Sequence, residues 1–113
     1  ENTKFLYDNK LTICPLTTED LNSIGATRDD IEDKINLIRD IDTVELACLI
    51  KQEGPNQFDI SFRSKKYIDV SQIALSFGGG GHLRAAGCSY SGSLDNLIDE
   101  LMERFEKIEW SKI

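Results

Sequence analysis

The chain is short of the groups that a metal-dependent enzyme needs. It has one histidine and three cysteines. Cys14, Cys48 and Cys88 form no C-x-x-C pair, and an odd, scattered set with a lone histidine does not make a zinc ligand set. Reduced, partly buried thiols in a cytoplasmic protein are the expectation. No stretch approaches the ~20 apolar residues of a membrane span, and no charged-then-apolar leader opens the chain. Basic residues are also scarce, 13 against 20 acids, for a net charge of −7. A protein that coats long nucleic acid is usually basic.

The charge that is present is uneven. Residues 1–62 carry 13 acids and 6 bases, and residues 93–113 carry 6 acids and 3 bases. Between them, Arg63, Lys65, Lys66 and Arg84 stand against Asp69 alone. One small basic patch on an acidic chain favours a short or small phosphorylated ligand over a long duplex; an ordinary solvated surface is the competing reading. The 113 residues, 40% of them apolar, suit one domain with one core. The start at Glu1 rather than Met fits a fragment, a processed product or an isolated domain.

Apolar periodicity predicts an α+β domain with a mixed sheet of about five strands flanked by helices. Phe5–Tyr7 and Leu11–Ile13 read as strands around an Asp8-Asn9 turn, with Pro15 ending the second. Thr17 or Thr18 starts a short helix that Gly25 stops. Thr27, with Asp30 three residues on, resembles a capping box for a helix over 28–39. Thr43–Lys51 is a strand with Val44, Leu46, Cys48 and Ile50 on one face. Gln57–Arg63 alternates cleanly, with Phe58, Ile60 and Phe62 inward and Arg63 at the strand end on the polar face. Ser71 caps a short helix, a helical turn over 82–86 and a strand near Cys88–Tyr90 follow, and Ser93 caps a last helix. Leu94, Leu97, Ile98, Leu101, Met102, Phe105 and Ile108 form its core-facing stripe.

Five of the eight glycines fall in residues 77–90, FGGGGHLRAAGCSY, which contains the single histidine, His82. The run fails the dinucleotide fingerprint, because the third glycine position is Leu83 or Arg84. It fails the phosphate-loop spacing as well, since five residues separate Gly81 from Gly87 and Cys88 follows. Successive glycines still free backbone N–H groups to converge on an anion. A helical turn after Gly81 would add its N-terminal dipole, with His82 as a donor at the rim. A plain glycine turn with a surface histidine is the alternative. Arg63 could fork onto a phosphate and Ser64 donate a hydroxyl. Arg84 and Tyr90 are accessory candidates; Tyr90 or Phe77 could stack on a base, though core packing suits Phe77 better. No metal cluster is visible, which favours substrate binding over independent catalysis.

Gly78-Gly79-Gly80-Gly81-His82-Leu83-Arg84-Ala85-Ala86-Gly87 resembles the GGGH-x-x-AAG motif of the DHHA1 domain, the C-terminal substrate-binding domain of the DHH phosphoesterase superfamily. Ser61-Phe62-Arg63-Ser64 resembles that family's S-[LF]-R-S strand end, and Asp69-Val70-Ser71-Gln72-Ile73-Ala74 lies between the two motifs. The likeness covers most of the chain and points most to the bacterial group that degrades very short RNAs and dephosphorylates 3′-phosphoadenosine 5′-phosphate. It implies that residues 1–113 are the C-terminal part of a two-domain phosphoesterase. An N-terminal DHH domain, absent here, would hold two Mn²⁺ ions. The resemblance further implies that Arg63, Ser64, Gly79, Gly80, Gly81 and His82 contact the phosphate or terminal nucleotide of a short single-stranded RNA or DNA or a nucleoside bisphosphate. A cytoplasmic location away from membranes and a homodimer are compatible expectations. The alternatives are a stand-alone nucleotide-binding or regulatory module, a domain of an exopolyphosphatase-like or cyclic-dinucleotide phosphodiesterase member, or a loop that only makes an interdomain contact.

Overall fold

A computed structural model describes residues 3–25 and 27–113. Its centre is a mixed six-stranded sheet in the order β1-β2-β3-β4-β6-β5. The strands are β1 (Lys4–Leu6), β2 (Leu11–Leu16), β3 (Leu46–Gly54), β4 (Gln57–Ser64), β5 (Gly80–His82) and β6 (Ala85–Ser91). β2 and β3 are parallel, and every other pair is antiparallel. A parallel pair needs a crossover, and α1 (Thr18–Ile24) and α2 (Arg28–Arg39) supply it. Helices α3 (Val70–Ser76) and α4 (Leu94–Phe105) pack on the opposite face.

The local signals that fix these elements are mostly those the sequence displays. Thr17 and Thr27 each accept a hydrogen bond from the third-residue amide, and Asp20 and Asp30 reach back to the threonine amides at 3.0 Å. Those bonds hold both carboxyls below their usual 3.8. Gly25 closes α1 in the left-handed region at φ 61°. Phe58, Ile60 and Phe62 enter the larger core beside Leu97, Leu101 and Phe105 of α4. Trp110 stacks on Tyr7 with ring centroids 4.8 Å apart and donates its indole N–H to the Phe105 carbonyl. It therefore closes the core where the first turn meets the C-terminal segment.

Several expectations need correction. The sheet has six strands, not about five. Pro15 lies inside β2 opposite Ile50 rather than ending it. The Lys10 carbonyl faces β3, accepting from the Leu46 amide; alternation then turns the Pro15 nitrogen to the other side, where β1 has already ended at Lys4 opposite Ile13. Among the described residues no strand lies beside that nitrogen, so proline is tolerated. Positive φ extends over Tyr7, Asp8 and Asn9, so Tyr7 belongs to the turn. β3 begins at Leu46, and both of its faces are buried: Leu46, Cys48 and Ile50 join the larger cluster, whereas Val44 joins Ala47 and Leu49 in a second one under α2. Asp69 rather than Ser71 caps α3, accepting from the Ser71 amide at 2.9 Å.

The largest correction concerns residues 80–91. They form a β-hairpin, not a helical turn followed by a strand. The dipole of a helix starting after Gly81 is therefore absent from the site, and the glycines must be explained by a strand at the sheet edge.

Candidate functional site

The hairpin gives each glycine a different duty. Gly79 has β6 directly beneath it: a Cβ there would stand 2.2 Å from the Gly87 carbonyl oxygen and 2.7 Å from Cys88 Cβ. Gly81 has φ 147°, and a Cβ would come within 2.6 Å of Ala86 Cα. Both absences let β5 lie close against β6. Gly80 is under neither constraint. Nothing lies within 4 Å of where its Cβ would be, and its φ is outside the left-handed range.

Cross-strand partners share a face of a sheet, so the register fixes what surrounds Gly80. One row reads Ala47, Arg63, Ala85, His82 across β3, β4, β6 and β5. The next reads Leu49, Ser61, Gly87, Gly80. Ala47 and Leu49 are covered, packed in the second core with Ile35 of α2. Of the remaining members, Arg63 and Ser61 lie at the margin of α2, whose Glu32 reaches Arg63, and Gly80 and His82 are exposed. Arg63 and His82 thus rise on one open face, two strand spacings or about 10 Å apart, with a floor of Ala85, Gly87, Gly80 and Ser61 between and beside them. The floor continues into two hollows that share Asp59 and Ser61: one of about 80 Å³ reaches Glu32 and Lys51, and one of about 540 Å³ reaches Gly78, Gly79 and Ser89.

The electrostatics of this face are specific. The Arg63 NH2 group donates to Glu32 Oε2 at 2.9 Å, and its NH1 group donates to the Phe62 carbonyl at 3.0 Å. Among the described residues none hydrogen-bonds the His82 imidazole, which leaves both ring nitrogens available. Lys65 lies off this face, with its ammonium on the Ile41 carbonyl at 2.6 Å.

The other predicted site residues lie elsewhere. Ser64 is buried on the opposite face, and its hydroxyl donates to the Ile68 carbonyl at 2.6 Å. Arg84 donates to the carbonyls of Lys66 and Ile68 at 2.6 and 2.5 Å and to Ser64 Oγ at 3.3 Å. Tyr90 pairs with Phe58 on the core side, meets Phe77 edge-on, and donates to Glu100 Oε2 at 2.7 Å, which raises its pKa. Phe77 lies under the Arg104 guanidinium, 3.8 Å from the ring centroid. The structure brings Arg63, Gly80 and His82 to one face; Ser64, Arg84 and Tyr90 serve the architecture behind it.

Two residues escaped sequence reasoning. Glu32 is on a helix surface 31 positions from Arg63, and nothing local signals the pair. Glu45, 4% exposed, accepts from the amides of Lys66, Tyr67 and Ile68 at 2.9–3.1 Å. With Arg84 holding the carbonyls, Glu45 holds the amides of the loop that follows Arg63-Ser64. An acid flanked by Val44 and Leu46 at the head of an apolar strand is the one hint the sequence offers.

The cysteines are unpaired. Burial pushes the Cys48 thiol well up and Cys88 to about 11. No group of three or more His, Cys, Asp or Glu among the described residues could hold a metal ion. These residues therefore do not fit the metal pair that the resemblance implies, and no step through a metal is assigned to them. No helix among the described residues is long and apolar enough to cross a membrane.

Comparison with known proteins gives a consistent picture. The bifunctional oligoribonuclease and PAP phosphatase NrnA of Thermus thermophilus is 31% identical over 91 residues, covering 78% of this chain and 27% of that protein. Its namesake in Mycoplasma pneumoniae is 35% identical over 54 residues, 48% of this chain and 16% of that protein. The crystal structure of an exopolyphosphatase-related protein from Bacteroides fragilis superposes with a TM-score of 0.82 at 27% identity, over 94% of this chain and 31% of its own. The chain thus spans between a sixth and a third of these relatives. The DHHA1 domain family model matches residues 9–108, taking in both the Arg63 strand end and the glycine hairpin, and the chain accordingly belongs to the DHHA1 domain family.

Proposed function

We propose that the chain is the substrate-recognition part of a DHH-family phosphoesterase and grips the phosphate-bearing end of a short oligonucleotide or of 3′-phosphoadenosine 5′-phosphate. Hydrolysis, with its two Mn²⁺ ions, is assigned to a separate N-terminal DHH domain. The observation that carries the reading is the register setting Arg63 and His82 on one face, with Gly80, a glycine that the fold itself does not require, in the row beside them. A phosphate between them would meet a guanidinium fork on one side and an imidazole donor on the other. The bare floor lets a sugar or base lie close to the backbone. The contribution of such a clamp is positioning and charge neutralisation at one end of the substrate. The relatives named as oligoribonuclease and PAP phosphatase support this substrate class.

The test is titration of the chain with a short 5′-phosphorylated RNA, followed by amide shifts. The amides of Gly80, Gly81 and His82 are expected to move. Arg63→Ala and His82→Ala should each weaken binding about tenfold or more, the value of one charge-assisted hydrogen bond. Wild-type affinity in both variants would remove the clamp.

A further inference from the structure

We infer that Glu32 is a specificity-determining residue, a carboxylate that competes with the ligand for Arg63 and reserves that arginine for a terminal phosphate. The inference rests on the phosphate-clamp reading and deepens it.

Arg63 and Glu32 are held very differently. The Arg63 side chain is 14% exposed, and its NH1 group is tied to the Phe62 carbonyl of its own strand. A planar guanidinium fixed at one corner has little freedom to swing toward a ligand. Glu32 reaches in from α2, and its side chain is 51% exposed. Glu32 is the only ion-pair partner of Arg63 among the described residues. The nearby charges are otherwise engaged: Lys51 pairs with Glu53 at 3.0 Å, and Asp59 accepts from Ser89 Oγ at 3.1 Å. An anion that forks onto the NH2 edge of Arg63 must take it from Glu32, and Glu32 is the member that can retreat into water.

The exchange depends on ligand charge. A terminal phosphomonoester carries about −1.5 to −2 at neutral pH, whereas an internal or capped diester carries a single negative charge, no more than the carboxylate it must replace. A monoester therefore displaces Glu32. A diester leaves it in place and is repelled by it. A residue that looks like a plain surface acid thus turns a general anion contact into a detector of chain ends.

The test uses two probes on the 113-residue chain, a 5′-phosphorylated diadenylate and the same molecule with its terminal phosphate methyl-esterified, titrated calorimetrically at fixed ionic strength. Wild-type protein should favour the monoester. Glu32→Gln should bind the methyl ester more tightly and narrow the preference by about two- to fivefold, the worth of an exposed ion pair. Glu32 is exposed, so the variant should fold, and circular dichroism checks this. Weaker binding of both probes by Glu32→Gln, or an unchanged ratio, would overturn the inference while leaving the clamp standing. Arg63→Ala separates the two readings: loss of the preference supports both, and binding like wild type would overturn the clamp and Glu32's role together.

Discussion

Replacing the neighbouring Gly79 and Gly80 one at a time should separate folding from binding at the entry to β5. Gly79→Ala places a methyl 2.2 Å from a backbone oxygen and 2.8 Å from Cys88 Cα, neither of which can move without parting β5 from β6. Overpacking of this kind costs about 1–3 kcal/mol, which in a domain of this size lowers Tm by about 4–12 °C. Gly80→Ala meets nothing within 4 Å and no left-handed φ. Its effect on stability should be neutral or a gain of about 0.4–1 kcal/mol from the stiffer unfolded chain. The new methyl stands on the face of Ser61 and Gly87, where it would hold a sugar or base off the backbone and cost roughly tenfold in affinity. Differential scanning calorimetry and titration with a short 5′-phosphorylated RNA read the two effects. A stable Gly80→Ala variant that binds like wild type would refute the open-face assignment. A Gly79→Ala variant with unchanged Tm would refute the packing account.

Glu45→Ala should free the amides of Lys66, Tyr67 and Ile68 and destabilise the domain by about 1–3 kcal/mol, since the buried Ile68 donor is left without a partner; hydrogen exchange at those three amides is the readout, and intact protection would contradict the role given to Glu45. The lowered pKa values of Asp20 and Asp30 predict acid-sensitive helix starts. Their contribution is complete above 3.8 and is lost as pH falls through the lower folded values. Amide protection at Asp20 and Asp30 should therefore fade as the pH falls below 3.8, before α4, whose Ser93 cap does not titrate.

Much of this architecture was legible because its signals are local. The Thr27–Asp30 box, Gly25 and the stripe on α4 each act within one helix. The alternation of Phe58, Ile60 and Phe62 needs only a period of two. Pro15 and the glycine hairpin were misread for a non-local reason: whether a nitrogen needs a partner depends on which strand lies beside it. The run at 78–81 has no side chains to alternate, so it carries no strand pattern at all. The proposed site offers its parts, Arg63 and His82, in the sequence, but not its assembly. Ala85 joins them only through the β4–β6–β5 register, and the Glu32–Arg63 pair depends on how α2 crosses the sheet.

The strand that displays His82 is also the last strand of the sheet, and it is three residues long. An edge strand is a template on which another chain can add itself. Glycines are poor strand formers, and with a φ of 147° at Gly81 this edge offers little regular ladder to a newcomer. The composition that keeps the proposed recognition face bare therefore also stops the sheet from growing. Exchanging these glycines for valine or threonine to stiffen the hairpin would carry a second hazard besides lost binding: copies of the domain would begin to pair edge to edge.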